Sequence, residues 1–381
     1  MATLRGEPVD RPPVSFYEIG GFRIDRSDPD PYNVYNSPDW QPLLELAEEH
    51  TDIIRLMSPV RDRSIDPTGS QIGERWHEFF KENTQDDGET RIVRTQLTIA
   101  GRTLTQVTKR EREVNTVWTV EPLLKNAADV EAYLTVPDEA FAERIDTAPL
   151  EAEEVALGDR GIVMVDTEDP LCAAAALMTM EDYTVLAFTE PALFHRLLEK
   201  MALRIQPRTA EVSRRFPGRL WRIYGPEYAS EPYLPPGLFH EYVVRYVAPM
   251  IRDIHAHGGY ARVHCHGRVK NILDMIAGMG ADALDPIEPP PQGDVALREV
   301  RQRHGRQLVL FGNLEIADIE MLPTARFSEL VKRALAEGSA GEGRGFVLLP
   351  SASPYGRNLS PVTLRNYEAM VRLVEEWQQS A

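Results

Sequence analysis

From residue 161 onward, short apolar runs alternate with longer segments whose apolar residues recur at helical spacing. The runs at 161–165, 220–224, 260–263, 283–287, 308–311 and 346–349 predict strands. The segments 191–205, 238–255, 269–279, 295–304, 326–337 and 361–378 predict helices between them. Boundary residues agree. Asp294 and Ser360-Pro361 precede two helices as N-cap and first-turn residues, and Gly258-Gly259, Gly280 and Gly305 follow three others. This rhythm is that of repeated βα units in a parallel sheet.

The first third reads differently. Residues 1–35 are rich in proline, aspartate and arginine, with one strand candidate at 14–19. A short helix over 40–50 leads into the apolar run 53–57. Polar and β-branched residues then alternate over 92–99 and 102–107 around Ala100-Gly101, the signature of a β-hairpin. We read it as an insertion over about residues 88–115. With the early strands the total comes to about eight, so the expected fold is a single-domain (β/α)8 TIM barrel over 1–381 with an N-terminal extension. A doubly wound open sheet is the alternative, weakened because no Gly-x-Gly-x-x-Gly follows an early strand.

Composition narrows the function classes. The chain has 381 residues, 43% of them hydrophobic, and a net charge of -17. That charge argues against nucleic acid or an anionic membrane surface as partner. Only Cys172 and Cys265 carry thiols, so neither a disulfide framework nor an all-thiolate zinc site is available. The first residues lack the apolar core of a signal peptide, and no apolar run approaches the roughly 20 residues of a membrane span, so a cytoplasmic protein acting on a small molecule is expected.

In a barrel, chemistry sits where strands run into the following loops. Those ends carry Tyr17, Glu18, Asp166, Tyr224, Glu227, His264, His266, Glu288, Asn313 and the stretch 351–355 with Tyr355. The densest cluster is His264-Cys265-His266-Gly267. Strand parity puts both imidazoles on one face, as half a metal site or an acid–base pair, and leaves Cys265 on the other as a small buried hydrophobe. Glu227, Glu288 and Tyr224 are the catalytic candidates. Tyr17, Glu18, Asn313 and Tyr355 are the substrate-binding ones. Each also has a bland reading in packing or capping. His255 and His257, at a helix C-terminus, need no catalytic role.

The order of motifs resembles the uroporphyrinogen decarboxylase superfamily, which includes the decarboxylase and the zinc-dependent methyltransferases that use methylated corrinoids. The resemblance runs through Arg11-Pro12-Pro13-Val14, then 255–267, Gly280-Ala281-Asp282-Ala283-Leu284-Asp285-Pro286-Ile287-Glu288-Pro289, 307–313 and 345–351. It implies a (β/α)8 barrel with its cleft at the carboxyl ends of the strands, and a homodimer is common among such proteins. Where the decarboxylase has arginines that hold substrate carboxylates, this chain places Glu18 and Phe22, with Arg23 and Arg26 nearby. A carboxylate facing a polycarboxylate substrate repels it.

Where the methyltransferases have His-x-Cys-Gly and a later cysteine, this chain has His264 and His266, and Ser351 or Ser353. The resemblance therefore implies a harder site, with His264, His266 and Glu288 or Glu227 holding zinc or another divalent metal. The expected activity is metal-dependent methyl transfer with a corrinoid protein as partner. A carboxy-lyase, or a barrel that only binds a tetrapyrrole or corrinoid, are the alternatives.

Overall fold

The computed structural model describes residues 1–25, 27–60 and 76–380, the last three of them by backbone alone. Its strands are β1 (Ile53–Met57), β2 (Phe80–Asp86), β3 (Thr90–Ile99), β4 (Arg102–Glu111), β5 (Val117–Glu121), β6 (Gly161–Glu168), β7 (Leu220–Tyr224), β8 (Tyr260–His264), β9 (Ala283–Asp285), β10 (Val309–Leu314) and β11 (Phe346–Pro350). β1 and β6 to β11 form one curled parallel sheet whose strands lie side by side in chain order. That order never reverses, so the doubly wound alternative is not what forms.

The sheet has seven strands rather than eight among the described residues. The predicted strand at 14–19 is reduced to one parallel bridge, Val14 to Leu348, with Ser15 N donating to Leu348 O. On its other side Asp52 N donates to Val14 O. The run ends because Tyr17 turns into the left-handed region at φ 60°, which no strand accommodates.

Both faces of the parallel sheet are buried, which is why its strands read as near-continuous apolar runs. One face packs Ile54, Leu56, Met164, Leu220, Val309, Phe311, Val347 and Leu349 together. The other packs Ile53, Val163, Trp221, Ile223, Val263, Leu284, Leu310 and Leu348 against the helices. Arg222 and Arg262 break the apolar runs, are both buried, and are register partners across β7 and β8.

The predicted hairpin is the centre of a larger, separate antiparallel sheet in the order β2-β3-β4-β5. Ala100 and Gly101 both have positive φ, 50° and 73°, as a two-residue hairpin turn matched to strand twist requires. Val114 bridges Gly356 and Asn115 N donates to Tyr355 O, which ties this sheet to the loop after β11.

Helix ends moved where tertiary contacts overrode local signals. The helix predicted to end at 205 runs over Pro191–Arg215, through Pro207, because Arg208, Thr209 and Val212 continue its buried face. The one predicted over 269–279 shrinks to Leu273–Gly278. Asp294 is not the N-cap expected: the helix there is Leu297–His304, and the Asp294 carboxylate accepts from Lys270 N instead. The Ser360 cap forms, its hydroxyl accepting from Thr363 N. Among the described residues no helix is long and apolar enough to cross a membrane.

Candidate active site

The site is built upward from two arginines. An arginine inside an apolar strand is stable only when a carboxylate meets it. Arg222 Nε and Nη2 donate to Asp166 at 2.6 and 2.9 Å, and its Nη1 donates to the Tyr17 hydroxyl. Asp166 is the register partner of Arg222 on β6. Arg262 Nε and Nη2 both donate to Asp285 at 2.5 Å, with the guanidinium 4.7 Å from the centre of the Phe311 ring. A charged layer thus crosses the sheet from β6 to β9, with Arg222 and Arg262 side by side and flanked by Asp166 and Asp285.

The histidines stand on this layer. His264 Nδ1 lies 2.6 Å from Asp285 Oδ2, so one carboxylate holds both Arg262 and His264. His266 Nδ1 lies 2.9 Å from Glu288 Oε1, and Gly267 N donates to Glu288 Oε2 at 2.6 Å. The two imidazoles meet edge to face with centroids 4.6 Å apart, and the Tyr17 ring stacks on His264 at 5.8 Å. With each Nδ1 engaged by a carboxylate, each imidazole keeps its Nε2 for another partner.

Their environments drive the two histidines apart. Burial lowers the affinity of His264 for a proton, and the opposing pull of Asp285 does not make up for it. Burial also works against a charged His266, but the hydrogen bond and charge of Glu288, aided by Glu227 and Asp285, raise it above the ordinary histidine value. Glu288 itself falls below the usual carboxylate range, because the bond and charge of His266 outweigh its burial. Asp285 falls further: burial opposes its charge, yet Arg262 and His264 dominate. Two imidazoles whose proton affinities are driven apart are an acid–base arrangement.

Glu315, at the end of β10, completes the cluster and was missed in the sequence. Burial and the neighbouring Glu288 charge push it up to about 7. Its Oε2 accepts from the Ser351 hydroxyl at 3.1 Å, while its buried Oε1 has no partner. Glu18 is likewise raised by burial, against the pull of Arg222. The signal for Glu315 was its place one residue past a strand end; the signal for Asp166 and Asp285 was the arginine inside each neighbouring strand.

These contacts recast several expected roles. Glu288 spends both oxygens on His266 and Gly267, so it orients a histidine rather than completing a ligand set. Glu227 turns back on its own loop, where Oε2 accepts from Gly225 N at 3.0 Å. Among the described residues no group of three or more His, Cys, Asp or Glu is placed to hold a metal ion. His264 and His266 offer two nitrogens, and the donor set as it stands does not fit a catalytic zinc, which takes three protein ligands.

Tyr224 is half-buried, with the Arg222 guanidinium 5.3 Å from its ring centre. Asn313 lines a cavity of 400 Å³ with Pro289, Glu315, Arg298 and Arg333, on the flank of β10. Tyr355 is 56% exposed and joins none of them; its carbonyl serves Asn115. Cys265 is buried, as parity predicts, and burial raises its thiol well above the ordinary value. Arg23 points outward to Glu153, away from the layer, and Arg26 lies outside the described residues.

With this geometry in hand, the family model described as uroporphyrinogen decarboxylase (URO-D) matches residues 111–377. The chain belongs to the uroporphyrinogen decarboxylase family. Among solved structures, a methyltransferase from Methanosarcina mazei superposes with a TM-score of 0.60 at 16% identity, over 99% of this chain and 97% of that one. At that identity the likeness is one of fold. D-psicose 3-epimerase in the presence of D-fructose gives 0.35 at 10% identity, over 66% and 88%, too little overlap to argue from. No curated protein matches the chain. In this family member the histidine pair lies at the carboxyl end of β8, beside the end of β9.

Proposed function

We propose that this family member is an enzyme that removes a methyl group from a small O- or N-methylated molecule, with His266 as general acid. The carrying observation is the pair His264 and His266, 4.6 Å apart and driven in opposite directions by their carboxylate partners. When the bond from methyl carbon to oxygen or nitrogen breaks, the bonding electrons stay on the heteroatom. His266 Nε2 supplies the proton that this atom takes up. Glu288 offsets the charge on His266 before the step, and His264 and Tyr17 wall the space beside it. A nucleophile receives the methyl group, and a corrinoid carried by a partner protein suits that role. Zinc, held by the two Nε2 atoms, would need further ligands from elsewhere, and no step here depends on it.

The barrel is taken to close as (β/α)8, with the bridge at Val14 standing for its first strand between β11 and β1. Uroporphyrinogen decarboxylation ranks second. Arg222 and Arg262 are spent on Asp166 and Asp285, and Glu18 lies near Arg222, so a substrate with many carboxylates would meet repulsion.

The test is methyl transfer from a panel of methoxylated aromatics and methylated amines to free cob(I)alamin, read from its spectrum. Transfer that fails in His266→Gln supports the reading. Conversion of uroporphyrinogen to coproporphyrinogen, with no methyl transfer from any compound, would overturn it.

A further inference from the structure

The cavity of 400 Å³ on the flank of β10 is lined by neither histidine. It opens at the carboxyl end of β10, and the helices Leu297–His304 and Thr324–Gly338 bring Arg298 and Arg333 to it. Its charges are not spent on each other. Among the described residues neither guanidinium donates a hydrogen bond or joins an ion pair, although Glu315, Asp318 and Glu337 line the same cavity. Glu337 accepts from the backbone N of Arg298 instead, at 3.3 Å. Glu315 is only 7% exposed; the Ser351 hydroxyl holds its Oε2, and its buried Oε1 has no partner. Asp318 is half-buried, and among the described residues no cation pairs with it. A free arginine in solvent is ordinary, but two of them around a cavity that holds an unpartnered buried carboxylate oxygen are not. Leu297, Leu314 and Leu330 make much of the remaining wall apolar.

We propose that this cavity binds an apolar amino acid of leucine's size as its zwitterion, with the carboxylate on Arg298 and Arg333, the ammonium on Glu315 Oε1 and Asp318, and the side chain against the leucines. Both unspent signs are then met by one ligand. A buried polar atom without a partner costs free energy until something meets it, and the ammonium supplies what Glu315 lacks. A ligand without net charge is also one that a chain of net charge -17 does not repel. A plain carboxylate would reach the arginines but would bring a second anion beside Asp318. The volume is that of a small-molecule site. The ammonium favours the charged form of Glu315, which is otherwise held up at about 7 by burial and by the charges of Glu288 and Asp318, against the Ser351 bond and His266. Binding near pH 7 therefore releases a fraction of a proton, and binding at about pH 9, where Glu315 is already charged, releases none.

Isothermal titration calorimetry of the full chain with L-leucine is the test. It needs no turnover, so it succeeds or fails apart from the methyl-transfer reading. Leucine should saturate the chain below about 10 mM, with a heat at pH 7 that depends on the buffer's own ionisation heat. Arg298→Gln and Arg333→Gln should each weaken binding about tenfold or more. Both side chains are exposed and unpaired, so the thermal unfolding midpoint should not move. Isocaproate and isoamylamine, which are leucine without its ammonium and without its carboxylate, should each bind about tenfold or more weakly than leucine. No saturation by leucine, binding indifferent to both arginine variants, or isocaproate equal to leucine would overturn the proposal. The last result would make the cavity a site for a plain carboxylate.

Discussion

Asp285 Oδ2 lies 2.6 Å from His264 Nδ1 while the same carboxylate takes two hydrogen bonds from Arg262. One buried anion therefore neutralises Arg262 inside the sheet and orients an imidazole of the candidate site. Stability and chemistry share this residue, which makes it the most informative one to remove.

Asp285→Asn leaves the Arg262 charge buried without its partner. The expected loss is about 3–5 kcal/mol, the usual cost of breaking one side of a buried pair. Urea unfolding measures it, and Arg262→Met in the same background should recover part of the loss. Because the Asp285 carboxyl is depressed in the fold, its contribution is present above the ordinary aspartate value of about 3.9 and disappears as pH falls toward its folded value. A wild-type stability that stays flat below pH 4 would contradict this.

His266 should titrate above an ordinary histidine and His264 below one. Two-dimensional NMR of the imidazole Cε1 protons can follow both. In Glu288→Gln the His266 midpoint moves down, because the bond and charge that favour its proton are gone. If His266 is the general acid, activity declines on the alkaline side, and this decline shifts to lower pH in the same variant. His266→Gln should lower turnover by roughly 10²-fold or more.

Glu315 carries the opposite sign. Its carboxyl is raised to about 7, so the fold prefers it protonated. The unfolded chain gives up that proton near 4.3, so the native state becomes progressively less favoured as pH rises from there to about 7. Glu315→Gln removes the penalty. The variant should gain up to about 3 kcal/mol over wild type at pH 8 and nothing at pH 4. A difference that does not grow with pH would show that the raised value is wrong.

Gly293 packs against the backbone of Glu288. A Cβ there would fall 1.8 Å from Glu288 O. Gly293→Ala must therefore displace the segment that presents the Glu288 carboxylate, at a cost of about 1–3 kcal/mol. The His266 midpoint should drop in this variant as it does in Glu288→Gln, although residue 293 touches neither imidazole. An unchanged midpoint would mean the loop shifts without moving the carboxylate.

The parallel strands and most helices were legible in the sequence, because burial of both sheet faces forces continuous apolar runs and helix faces repeat at a spacing of their own. β7 ran from Leu220 to Tyr224 as read, and the Ala100-Gly101 turn was where alternation placed it. The position of His264 and His266 at a strand end was local information, and so was the burial of Cys265. What the chain could not declare was which carboxylate meets which cation. Asp285 pairs with Arg262 across 23 positions and Asp166 with Arg222 across 56, and only strand register sets those pairs. Register also turned Glu288 from a ligand candidate into the partner of His266. It left Tyr355 in solvent and brought Glu315 in. Strand 14–19 failed for the same kind of reason: its pattern was right, but the backbone turn at Tyr17, which carries that ring onto His264 and its hydroxyl onto Arg222, ended the pairing after one bridge. Periodicity is a property of neighbours along the chain, whereas charge pairing and proton affinity depend on neighbours across the sheet.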